Sequence, residues 1–307
     1  MMKIIFSFVL AALMLPYFNE PGDEDMKGIL EQSQKPLFTF GIVADAQYCD
    51  CEPANGRFYR TAPGRLREAM TSFITDSVNF VINLGDLIDR GYESFKPMLN
   101  IFDSSGLKVY NLLGNHEYSV EDKYKKKLPL PLPSKEGYYS FNHQNFRFIA
   151  LNGNEISTYS TSSKALIGKA NEYIGVLKES GNVNAVEWNG GISPKQLGWL
   201  KIQLDDAKLK NEKVFILCHF PLHPENVHNL LNYKEVDSLL VNYDNIISCF
   251  SGHNHSGNYG NFNMIHFVNF KGMVESEHIN SYAIVEVYGN KIWIKGAGRE
   301  KSQILAY

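Results

Sequence analysis

Three shortages narrow what this chain can be. Basic runs are scarce: Lys125-Lys126-Lys127 stands alone and the net charge is −3, so the electrostatic footprint of a nucleic-acid partner is missing. Cysteine is scarce too, with four in 307 residues, too few for a disulfide framework. Cys218 and Cys249 fall inside apolar runs, where a free thiol behaves as a small apolar residue. Cys49 and Cys51 make a lone Cys-x-Cys, without the second pair that a zinc site requires. Long apolar runs are also wanting. The segment Ile4–Leu15 behind Lys3 has the length of a signal-peptide core and is too short for a comfortable membrane span. No Ala-x-Ala pattern follows Leu15, and Met26 is an alternative start. The expectation is an exported chain with a signal segment at 1–19 and a linker at 20–36; initiation at Met26 would leave it cytoplasmic. No other membrane span is expected.

What remains is the material of one globular domain. Hydrophobic residues make up 44% and charged residues 21%, enough for a sizeable core. From residue 37 to 307 strand and helix signals alternate, with no internal repeat. Arg65–Asp76 has helical spacing with Leu66, Ala69, Met70 and Phe73 on one face, and Ser94–Asp103 repeats it. Such units predict right-handed parallel crossovers. The run Leu128–Pro133, alternating Leu and Pro, reads as a proline-stiffened surface loop. Tyr138–Asn142 and Phe146–Asn152 read as an antiparallel pair. Ser162–Glu179 and Pro194–Lys208 read as helices, the second capped by Ser193 with Pro194 in its first turn. Met264–Asn269, Tyr282–Val287 and Ile292–Lys295 close the chain as short strands. The sum is an α/β domain with two sheets flanked by helices, expected to act as a monomer.

Five apolar runs each end in metal-binding side chains. Phe38–Val43 leads to Asp45 and Gln47, Phe80–Leu84 to Asp86 and Asp89, and Val109–Leu113 to Asn115, His116 and Glu117. Val214–Cys218 leads to His219, and Ile246–Phe250 to His253 and His255. Ligands of open α/β sheets gather beyond the carboxyl ends of the strands, so these residues are expected to converge on one rim. A pair of cations about 3.5–4 Å apart needs a bridging carboxylate, and Asp86, central among the clusters, is the natural choice. Asp45, Gln47 and one histidine would complete one site; Asn115, His219 and another histidine the second. Spacing alone does not divide His253 from His255. Oxygen and imidazole donors without thiolate favour manganese, magnesium, iron or cobalt. His116, next to a ligand at the rim, is placed as the general acid. His143, His228, His266 and His278 lack this context and read as structural or surface residues.

These blocks resemble the calcineurin-like metallophosphoesterases. Asp45-Ala46-Gln47, Gly85-Asp86-Leu87-Ile88-Asp89, Gly114-Asn115-His116-Glu117, His219 and Gly252-His253-Asn254-His255 stand where that family has its motifs. The resemblance implies a four-layered α/β/β/α sandwich with a dimetal site at one rim. It assigns His255 to the site with Asp45 and Gln47, and His253 to the site with Asn115 and His219. Gln47 replaces the histidine of most members, and a neutral amide oxygen is a weaker, harder ligand.

That substitution, with Asn189-Gly-Gly-Ile-Ser193, His219–Pro224 and Gly296–Arg299, resembles the manganese-dependent ADP-ribose/CDP-alcohol diphosphatase group. The resemblance implies hydrolysis of the pyrophosphate bond of nucleoside diphosphate-linked small molecules by a metal-bridged hydroxide, giving a nucleoside monophosphate and a phosphorylated fragment. The expected cofactors are two divalent ions, manganese first. Arg57, Tyr59 and Arg60, between the first two blocks, are candidate substrate contacts, Arg for its forked donors. Asn152–Glu155 and Tyr259 are weaker candidates. A cyclic-nucleotide phosphodiesterase or a protein phosphatase of the same family is the rival enzyme reading, and a non-catalytic metal-binding scaffold the rival outside enzymes. His116, beside a full ligand set, favours catalysis.

Overall fold

A computed structural model describes residues 35–307. The expected signal segment and all but the last two residues of the expected linker lie outside the described residues.

The first sheet is built around β1 (Phe38–Val43), β2 (Phe80–Asn83) and β3 (Val109–Asn111), which run parallel. β10 (Ser281–Val287), β11 (Lys291–Gly298) and β12 (Gln303–Ala306) extend it antiparallel from β1. The second sheet has a parallel centre of β5 (Phe146–Leu151), β6 (Lys213–Cys218), β7 (Ile246–Ser251) and β9 (Ile265–Asn269). Antiparallel strands close its edges, β4 (Tyr139–His143) beside β5 and β8 (Asn258–Phe262) beside β9.

Side-chain alternation sets the layers. Phe38, Phe40 and Ile42 of β1 and Phe80 and Ile82 of β2 face Phe148, Phe215, Leu217 and Phe250 of the other sheet in one aromatic-rich core. Val43 and Val81 point the other way, onto α1 (Ala62–Thr75) and α2 (Phe95–Ser105). On the far side Ile149, Ile216 and Cys218 meet α5 (Pro194–Leu209) and α6 (Tyr233–Leu240). A single-turn helix, α3 (Asp122–Lys125), and α4 (Lys164–Glu179) complete the set. The result is the α/β/β/α sandwich expected from the resemblance. Ser193 caps α5 as the sequence predicts, accepting from Gln196 N at 3.2 Å.

Local differences from these expectations remain. The proline-stiffened run is irregular, but Leu130 is buried and Leu128 and Leu132 half-buried, while Pro131 and Pro133 face out; the prolines hold leucines against the core. β8 and α6 were not legible: β8 is a mostly exposed, Asn- and Gly-containing edge, poor in strand signals. β12, in which only Ile304, Leu305 and Ala306 are apolar and Leu305 alone is buried, was not legible either. Cys49 and Cys51 are joined to each other, a local bridge in the loop after Gln47 and neither a zinc half-site nor a pair of free thiols. Cys218 and Cys249 are buried and free. Among the described residues no helix is long and apolar enough to cross a membrane.

Candidate metal centre and active site

Because β1, β2 and β3 are parallel, as are β6 and β7, their carboxyl ends meet at one rim between the sheets. Asp45, Gln47, Asp86 and Asn115 arrive from the first sheet, and His219, His253 and His255 from the second. Asp45, Gln47, Asp86 and His253 all have positive φ, from 45° to 67°. That conformation is uncommon for non-glycine residues and clusters at functional sites, where the surrounding structure enforces it. The glycines of the motifs make room for it. A Cβ on Gly85, whose φ is 101°, would lie 2.7 Å from Gly114 N and 2.8 Å from His219 Nδ1. One on Gly114 would collide with the Asp86 carboxylate.

Each histidine is held by one ring nitrogen so that the other faces the rim. His219 Nδ1 is 2.9 Å from Leu84 O, and His253 Nε2 is 2.9 Å from Asn189 Oδ1. His255 Nδ1 is 2.6 Å from Glu275 Oε1. The other ring nitrogens face carboxylates: His219 Nε2 lies 3.4 Å from Asp86 Oδ2, and His255 Nε2 lies 3.4 Å from Asp45 Oδ1. The Gln47 amide nitrogen sits between Asp86 Oδ2 (3.1 Å) and His255 Nε2 (3.2 Å). Ligand atoms of Asp86, His219 and His253 all lie within 4.8 Å of one another.

The donor set passes a physical test for a cation. Gln47 Oε1, Asn115 Oδ1 and His219 Nε2 are buried with no hydrogen-bond partner in the protein. Buried polar atoms are rarely left so, and all three are metal-binding atom types at one place. Protons are drawn to the same spot. Burial alone would depress His219, yet the Asp86 carboxylate outweighs it and raises its pKa to about 9. Asp86 itself is held well below the usual carboxylate range: burial opposes this, but His219 and His116 prevail. His253 is held well below the usual range by burial and by His219, which suits a neutral imidazole ligand.

Glu117 organises the rim from beneath. It is fully buried and accepts from Leu87 N at 2.6 Å, Gly114 N at 2.7 Å and Asp86 N at 3.0 Å, tying the β2 and β3 loops together. Burial and the Asp86 charge push its pKa up to about 7. His116 N donates to Asp86 Oδ1 at 2.8 Å. The His116 ring packs its Nδ1 against Asp89, 2.9 Å from the backbone oxygen and 3.3 Å from Oδ1, which leaves Nε2 for a reacting group. Burial lowers the pKa of His116, but Asp86 and Asp89 raise it to about 9.

A cavity of about 270 Å³ opens over this rim. Gln47, Asp86, Asn115, His116, His253 and His255 form its floor, and Arg57, Trp188 and His228 its walls. Of the predicted substrate contacts, then, only Arg57 reaches it. Tyr59 is buried against Cys49 and Val274. Arg60 is committed to Asp50 (2.6 Å) and Glu52 (2.5 Å) at the surface. Tyr259 lies on β8, bonded to His266 and lining a separate cavity. Asn152 and Asn154 are structural: Asn154 Nδ2 donates to Leu113 O at 3.0 Å and so props the loop before Gly114. Glu155 caps the start of α5 through Ser193 N and Gln196. His228, read as an ordinary histidine, stands 5.1 Å from Trp188 and 5.6 Å from His253, ring centre to ring centre. Trp188 was legible only as the residue before Asn189.

Comparison with known proteins settles the family. The calcineurin-like phosphoesterase family model matches residues 38–257, which spans all five motif blocks. The chain belongs to this family. Among curated relatives, the manganese-dependent ADP-ribose/CDP-alcohol diphosphatase of Xenopus laevis is 28% identical over 90% of this chain and 92% of its own. The Homo sapiens protein of the same name is 28% identical over 91% of this chain and 95% of its own. Among solved structures, a dimetal phosphatase from Danio rerio superposes with a TM-score of 0.79 at 24% identity, covering 89% of this chain and 100% of that one. The likeness of architecture thus extends from the phosphoesterase core to nearly the whole described fold.

Proposed function

We propose that this chain is a metal-dependent hydrolase that cleaves the pyrophosphate bond of nucleoside diphosphate-linked small molecules such as ADP-ribose or CDP-choline. The observation that carries the reading is the convergence of seven oxygen and imidazole donors from five strand ends, three of them with buried, unpartnered donor atoms. The names of the relatives support the substrate class and the choice of manganese. Asp45, Gln47 and His255 would hold one ion, Asn115, His219 and His253 the other, with Asp86 between them. Bound there, two divalent cations supply positive charge for phosphoryl oxygens and activation of water.

The chain's own groups do the rest. Asp89 holds the His116 ring so that Nε2 can donate a proton to the departing phosphate oxygen. Arg57 offers guanidinium donors to the diphosphate. Trp188, 39% exposed at the cavity wall, and His228 beside it present aromatic faces for the nucleobase.

Metal-stripped protein incubated with ADP-ribose, CDP-choline, 2′,3′-cyclic AMP and p-nitrophenyl phosphate, with Mn²⁺ or Mg²⁺ restored, tests the reading by chromatography of products. AMP from ADP-ribose or CMP from CDP-choline, mainly with Mn²⁺, is the expected result. Turnover confined to the cyclic nucleotide or the monoester would overturn the substrate class.

A further inference from the structure

Glu275 lies beyond the residues that match the family model, in a short 3-10 turn, Met273–Glu275, between β9 and β10. That turn is a junction. Met273 N donates to Ala44 O at 3.0 Å and Val274 N to Asp45 O at 3.1 Å, which docks the turn on the loop carrying the first metal ligands. Phe58 N donates to Val274 O at 2.9 Å, which fastens the segment carrying Arg57. Gly272 N donates to His255 O at 3.2 Å, on the loop after β7. Three separate stretches of chain therefore meet where Glu275 leaves the backbone.

Its carboxylate faces two of the groups already placed at the cavity. Oε1 is 2.6 Å from His255 Nδ1 and 3.9 Å from Arg57 Nε. The first contact is a charge-assisted bond to a histidine whose other nitrogen points at Asp45. Carboxylates in that position fix the ring's tautomer and orientation, and their loss lowers metal affinity about 10- to 100-fold. The second contact draws the guanidinium, about a third exposed, towards the rim.

We propose that Glu275 is a positioning residue serving both halves of the site: one carboxylate presents His255 Nε2 to the metal and holds Arg57 over the substrate cavity. This rests on the reading of the cavity as the metal and substrate site. A merely structural role would not distinguish these two functions, whereas substitution separates them. Glu275→Gln keeps an oxygen that accepts from His255 Nδ1 but removes the charge that attracts Arg57. Glu275→Ala removes both.

The test measures Mn²⁺ binding to stripped protein by loss of the free-ion electron paramagnetic resonance signal, and kcat and KM on ADP-ribose at saturating Mn²⁺. A chelator-treated thermal melt of each variant checks folding. Glu275→Ala is expected to weaken one of the two Mn²⁺ sites about 10- to 100-fold. Glu275→Gln should keep Mn²⁺ binding within about threefold of wild type. Both should raise KM about two- to fivefold, the range of a partly exposed ion pair, with kcat nearly unchanged. Wild-type Mn²⁺ binding in Glu275→Ala, equal metal loss in the two variants, or an unchanged KM in both would overturn the proposal. If the wild-type protein hydrolyses no diphosphate, the functional reading fails and takes the Arg57 half with it; the Mn²⁺ titration, which needs no substrate, then decides the His255 half.

Discussion

Asp237 allows the electrostatics of this fold to be tested away from the metal centre. It sits on the buried face of α6 with Oδ1 unpartnered, and burial pushes its pKa up to about 7. In the unfolded chain the value is about 3.9. Below the lower value both states hold the proton and no penalty exists. As pH rises, the unfolded chain releases its proton first, so stability is lost from about pH 4 to about pH 7 and stays lost above. The full gap is worth about 4 kcal/mol at 1.36 kcal/mol per pH unit. Asp237→Asn keeps the shape and removes the charge, at a cost of about 1 kcal/mol for an amide that finds no acceptor. That cost is the same at every pH, so the diagnostic quantity is the change with pH. Urea unfolding of chelator-treated protein is expected to show the variant gaining about 2–3 kcal/mol more over wild type at about pH 8.5 than at about pH 5. Catalytic constants should not move, because α6 packs beneath the sheet and not at the rim. An equal gain at both pH values would refute the reasoning.

Further outcomes are expected at the site itself. His116→Ala should lower kcat by about 100-fold, the low end for a general acid because a diphosphate already has a good leaving group, while metal content stays intact; loss of metal would make the residue a ligand and not an acid. Gln47→His replaces an amide by imidazole, so Mn²⁺ should leave more slowly in chelator, and faster loss would contradict the assignment of Gln47 to a metal. Glu117→Ala strands three buried N–H groups and should destabilise the chelator-treated protein on the order of 3 kcal/mol or more, read by urea unfolding; no change would mean that water enters to satisfy them. In metal-free protein at neutral pH His219 carries a proton, having a pKa of about 9, and a ligand histidine must shed it. Mn²⁺ uptake should therefore release protons and strengthen as pH rises towards that value. Titrations in buffers of different ionisation heat measure this, and buffer-independent heats would contradict it.

The rim was legible because its chemistry is local. Each proposed ligand comes just after a run of buried, β-branched or aromatic residues, and parallel strands deliver the residues at their carboxyl ends to one edge. Apart from Arg57, the walls of the site were not legible, for they come from loops with no periodicity. Trp188, His228 and Glu275 acquire meaning only when the loops before α5 and α6 and the turn before β10 are folded onto the rim. Asn189, which props His253, stood in a motif but had no role until its oxygen was found 2.9 Å from the ring. Tyr259 was misplaced for the converse reason. β8 carries little strand signal, so nothing indicated that it forms the sheet's far edge. Tyr59 and Arg60 neighbour the one residue of their segment that reaches the cavity, and adjacent side chains on a tight turn point different ways. The helices were clearer, since α1, α2 and α5 each bury one face at helical spacing.

Diffraction from crystals soaked in Mn²⁺, with data collected near the manganese absorption edge, tests the central claim most directly. Two anomalous peaks at the rim are expected, one beside Asp45, Gln47 and His255, the other beside Asn115, His219 and His253, with Asp86 touching both. A single peak, or peaks away from these side chains, would contradict the account.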